Sequence, residues 1–108
     1  MLRASTEALC GDLEREIARF EAGTTAEADL RQGYESRYQA NTVAAMLALM
    51  YYAPANFGFT LAHNDAGRTF NSPDLELAEG KVHDGLVACE MKIIVQTLRD
   101  LLGHLPES

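Results

Sequence analysis

Three clusters of side chains in this sequence have types and spacings that can support chemistry. Glu76, Glu79, His83 and Glu90 recur at intervals of three, four and seven. On a helix that spacing puts three carboxylates and an imidazole near one face. Metal centres in helical bundles use such side chains, but a di-iron bundle needs Glu-x-x-His on two helices, and that motif occurs nowhere here. Glu79 and His83 read more simply as an ordinary i,i+4 pair on a solvated face, so no metal is expected. The second cluster is His63, Asn64 and Asp65, with Arg68 close by. His63 has the chemistry of a general base and Asp65 that of its orienting carboxylate. No nucleophile motif such as Gly-x-Ser-x-Gly accompanies them. Asn64-Asp65-Ala66-Gly67 is also turn chemistry in its own right.

The third cluster is Arg99-Asp100-Leu101-Leu102-Gly103-His104. It resembles the Arg-polar-x-x-x-His motif of HEPN-domain ribonucleases, small helical proteins that dimerise. The resemblance implies that Arg99 would bind phosphate and that His104 would act in metal-independent RNA cleavage, with two sites facing each other across a dimer. It covers six residues, and Gly103 breaks the helix just before His104. A helix C-terminus accounts for the same residues: Arg99 and His104 favour the negative end of the dipole, Gly103 caps it, and Pro106 stops the chain.

Aromatic residues suggest a binding rather than a catalytic site. Tyr51, Tyr52, Phe57, Phe59 and Phe70, with His63, would line a small-molecule pocket between the second helix and residues 54–73. Gly58 and Gly67 stand alone, so no phosphate-binding loop is present and no cofactor is expected.

Three helices must position these groups. The first is expected from about Ser5 to Ala22, with Ser5 as N-cap, a stripe of Leu9, Leu13, Ile17 and Phe20, and Gly23 as the C-terminal glycine. The second is expected to start at Thr24, which has capping-box spacing to Glu27, and to run to Ala53 before Pro54. Its stripe of Leu30, Tyr34, Tyr38, Ala45 and Leu49 gives way, beyond Asn41, to a run from Val43 to Tyr52 that is apolar almost all round. Such a helix is buried on all sides, more than three helices of one short chain can provide, so a partner subunit is expected to cover it, or alternatively the loop that follows. The third is expected from Asn71 or Ser72, with Pro73 in its first turn, to Leu102, and Ile93, Ile94 and Val95 point three ways on it. Residues 54–73 read as a loop or a small β-hairpin, since Phe57, Phe59 and Leu61 alternate with small or polar residues. The fold class is therefore mainly α, a single helical domain over 1–108. Its two long helices, each about 28–30 residues and about 40–45 Å, are expected to be antiparallel and to dimerise into a bundle.

Composition narrows the partners. In 108 residues, 16 Asp and Glu face 9 Lys and Arg, for a formal net charge of -7. By segment the charge is -2 over 1–23, -1 over 24–53, zero over 54–73 and -4 over 74–108. This suits neither a broad nucleic-acid face nor an anionic membrane surface. The longest near-apolar run, Thr42 to Ala55, is shorter than a membrane span. No signal-peptide pattern opens the chain. Cys10 and Cys89, each within an apolar helical pattern, read as buried reduced thiols in a cytoplasmic protein. The expected function is that of an acidic, homodimeric protein-interaction or regulatory module rather than an enzyme. The ribonuclease of Arg99 and His104 and the aromatic small-molecule pocket stand as alternatives.

Overall fold

A computed structural model describes residues 1–52, 60–64, 67–71, 77–79 and 83–106. Helix α1 spans Leu2–Glu21. It begins before Ser5, whose backbone N–H already donates to Met1 O and whose hydroxyl donates to Leu2 O at 3.2 Å, so Ser5 lies inside the helix rather than capping it. The other end follows expectation. Gly23 takes φ +80°, its N–H donates to Phe20 O, and Thr24 N–H donates to Arg19 O. This is the Schellman arrangement, which satisfies carbonyls the helix would leave bare.

The Thr24 hydroxyl also donates to Arg19 O, at 2.7 Å. It therefore closes α1 and does not cap the next helix, which starts at Glu27 with Ala26 as N-cap. That second helix is continuous but not uniform. It consists of α2 (Glu27–Gly33), a π-helical turn (Tyr34–Tyr38) and α3 (Gln39–Met50). The turn has a packing reason. Buried Leu30 and Tyr34 start an inward face, and Thr42, Ala45, Met46 and Leu49 continue it. From Tyr34 to Thr42 an unbroken α-helix would over-rotate by about 80° at 3.6 residues per turn. One residue absorbed in a π turn takes up that excess.

The expected third helix is interrupted. Leu77 and Ala78 are helical, Glu79 lies in a turn, and Gly85 adopts φ +83°, outside helical geometry. Helix α4 spans only Val87–Leu102, about 24 Å at 1.5 Å per residue, and ends at Gly103 as expected. Tertiary hydrogen bonds hold the break open. Gly85 N–H donates to Glu27 Oε1 at 2.8 Å, and His83 N–H to Glu90 Oε2 at 2.8 Å. Arg31 also pairs with Asp84 at 2.9 Å.

The three helices pack as a bundle around Leu13, Leu30, Tyr34, Met46, Met91, Ile94 and Leu98. α1 is antiparallel to α4, as interhelical ion pairs Glu14–Arg99 and Glu21–Lys92 record. The long helices differ from the expectation. The start of α2 lies against the start of α4 through Glu27 and Gly85, while Tyr52 and Leu105 sit together beside Met1 and Leu2. The helix from Glu27 to Met50 and α4 are thus parallel, and both oppose α1. They are joined by residues 51–86, which are described in part. Within this stretch, β1 (Thr60–Asn64) pairs antiparallel with β2 (Gly67–Asn71), Thr60 opposite Asn71 and Asn64 opposite Gly67. Among the described residues no helix is long and apolar enough to cross a membrane.

Candidate functional site

The Glu76, Glu79, His83 and Glu90 face does not assemble. Glu76 lies outside the described residues, Glu79 and His83 are off the helix, and Glu90 is spent on the His83 amide. Among the described residues no group of three or more His, Cys, Asp or Glu is placed to hold a metal ion. Arg99 is exposed on α4 and bonded to Glu14 of α1, a contact that pushes its pKa above the ordinary guanidinium value. His104 lies in the exposed turn beyond α4. Of the aromatic set, Phe57 and Phe59 lie outside the described residues, as does Asp65. The backbone positions of His63 and Phe70 are opposite Arg68 and Leu61 in the strand pair. Tyr51 and Tyr52 stand at the end of α3, 66% and 47% exposed, with their rings edge-on at 6.2 Å.

The burial pattern of α3 singles out a different surface. Thr42, Ala45, Met46, Leu49 and Met50 face the core. Val43, Leu47 and Ala48 are only half-buried, and Ala44 and Tyr51 are exposed. One copy of the chain therefore does not bury α3 all round, and an apolar face is left outward. This face carries no charge. Indeed, Tyr38 to Ala62 contains no Asp, Glu, Lys or Arg. On α4, Ile94 and Val95 are buried while Ile93 remains 42% exposed, so the triple Ile-Ile-Val is likewise covered on one side only.

Beside the α3 face runs an open groove of about 470 Å³ between α1 and the second helix. Ser5, Leu9 and Asp12 form one bank, and Arg37, Asn41 and Ala44 the other. Ion pairs lie along and across it. Asp12 is bonded to Arg15, and Glu16 lies 3.3 Å from Arg19 and 3.9 Å from Arg37. Thr6 also lines the groove, 1% exposed, and its hydroxyl has no hydrogen-bond partner.

Two further groups matter to the fold. Tyr34, on the inward stripe of the second helix, is 2% exposed and donates to Ala78 O at 2.6 Å. Burial pushes its pKa up to about 12, against a smaller lowering by Thr42. Cys10 is fully buried, with its thiol pKa raised by desolvation, but Cys89 is exposed on α4 rather than in the core. The expected apolar pattern around Cys89 was misleading, since Val87 and Met91 turn inward while Cys89 and Ile93 turn outward. Compared with protein-family models, with curated proteins and with solved structures, the chain matches none.

Proposed function

We propose that the chain is a non-enzymatic helical interaction module that works as a homodimer. The outward face of α3 carries this reading: Val43, Ala44, Leu47, Ala48 and Tyr51 leave apolar area in water on a stretch of chain, 38–62, that contains no Asp, Glu, Lys or Arg. Burying apolar surface is worth about 25 cal/mol per Å², and this face is where a partner gains most of it. A chain of charge -7 meets a second copy at least cost where neither copy presents a carboxylate. The remaining acidic surface suits a basic protein partner, and the two free thiols suit a reducing compartment such as the cytoplasm.

Light scattering and sedimentation velocity on the purified chain test this. The expected result is a dimer mass at micromolar concentration. A monomer mass throughout a series reaching hundreds of micromolar would overturn the proposal.

A further inference from the structure

We infer that the groove between α1 and the second helix binds a small aromatic carboxylate with a hydroxyl at its far end, Arg37 holding the carboxylate and Thr6 the hydroxyl. This does not depend on self-pairing. The charged end of the groove lies where α1 meets the π turn. Asp12 is bonded to Arg15, and Glu16 lies nearer to Arg19, at 3.3 Å, than to Arg37, at 3.9 Å. Two carboxylates thus face three guanidiniums, a local surplus of positive charge in a chain of net charge -7. Asp29 lies on the far side of Arg37, in a separate depression. Arg37 is the cation left over: its side chain is 62% exposed, and among the described residues Glu16 is its one ion contact. A guanidinium with free donors takes a carboxylate through two parallel hydrogen bonds. Asn41 lies one turn further along the same bank and offers an amide donor.

The rest of the groove suits an apolar ring. Ala8, Ala44 and Ala45 are small and leave room beside Leu2, Leu9 and Tyr38, in a volume of about 470 Å³ that falls in the range of small-molecule sites. Thr6 lines this end. It is 1% exposed, and its hydroxyl is the one buried side-chain polar atom that lacks a hydrogen-bond partner among the described residues. An orphaned hydroxyl is costly, and a ligand that bonds to it removes that cost. A helical threonine has two favoured χ1 rotamers, so one rotation exchanges its methyl and its hydroxyl at the groove wall. Thr6 precedes Asp12 by six residues, about 9 Å along α1. The ligand therefore carries polar groups about that far apart, with an apolar ring between them. A phenol with a carboxymethyl arm opposite its hydroxyl has this form.

Calorimetric titration with 4-hydroxyphenylacetate tests the site, with phenylacetate as the probe that lacks the hydroxyl. The unsubstituted chain should bind 4-hydroxyphenylacetate saturably, and about five- to tenfold more tightly than phenylacetate, as one buried hydrogen bond allows. Arg37→Gln should weaken both probes at least about tenfold, since it removes a charge-assisted pair. Thr6→Val should abolish the preference for the hydroxyl and leave phenylacetate affinity unchanged, even as its fold gains stability. A purely structural role for Thr6 would not move that preference. No saturable binding of either probe up to about 10 mM overturns the proposal, as does binding that Arg37→Gln leaves intact. Equal weakening of both probes by Thr6→Val overturns the role given to Thr6.

Discussion

Tyr34 sets an alkaline limit on the fold. Its hydroxyl is buried and bonded to Ala78 O, and its pKa rises from 10.0 to about 12. A raised pKa in the folded state means that the neutral form is held by folding. The associated stability is complete below pH 10, and it is lost as pH climbs from 10 to 12, because the unfolded chain releases the proton first. Two pH units correspond to roughly 3 kcal/mol. Urea midpoints should therefore fall between pH 9.5 and about 11.5. Tyr34→Phe should flatten that fall while costing about 1–2 kcal/mol at neutral pH, since Ala78 O loses its donor. Thr6 presents the opposite case. Its buried hydroxyl has no partner, so Thr6→Val removes an uncompensated polar atom while keeping the branched shape. It should raise the urea midpoint, by up to about 1 kcal/mol in stability.

At the scale of elements, the break between Ala78 and Val87 depends on one glycine and two carboxylates, Glu27 from the second helix and Glu90 from the first turn of α4. Gly85 sits at φ +83°, and a Cβ there would have nothing within 4 Å, so the cost of Gly85→Ala is backbone strain and not a clash. That cost should be about 1 kcal/mol or more, read as a lower melting temperature. The same break shows where sequence reasoning stops. The ends of α1 and α4 were legible because local residues mark them: Gly23 takes the left-handed turn at φ +80°, while Gly103, at φ -63°, is the residue at which α4 stops. The inward stripe of Leu9, Leu13 and Ile17 was legible because it needs only a 3.6-residue period. The break was not, because Glu27, which accepts from the Gly85 amide, is 58 residues away, and because no local pattern marks Glu90 as the acceptor for the His83 amide seven residues before it. Read locally, Glu76 to Asp84 is a polar helix face, and the same reading produced the metal-like row. The π turn was equally hidden, since only the phase slip between Tyr34 and Thr42 betrays it. Of the outward α3 face, the surplus of apolar residues was visible, but which of them lie outward became clear only from the packing of α1 and α4.

At the scale of the whole molecule, net charge and interface oppose one another. Two copies repel through their carboxylates and attract through a face without charge. Added salt should therefore strengthen the dimer, because it screens the repulsion and leaves apolar burial intact. A dissociation constant that increases between 50 and about 500 mM NaCl would instead indicate attractive ion pairs across the interface. The two cysteines add a second whole-molecule readout. Cys89 lies open on α4, whereas Cys10 is sealed beneath it on α1 with its thiol held in the unreactive form. A thiol reagent should label Cys89 at once and Cys10 only when α1 lifts away from α4. The slow phase is thus a clock for that opening, and the ratio of the two rates reports how seldom the bundle breathes.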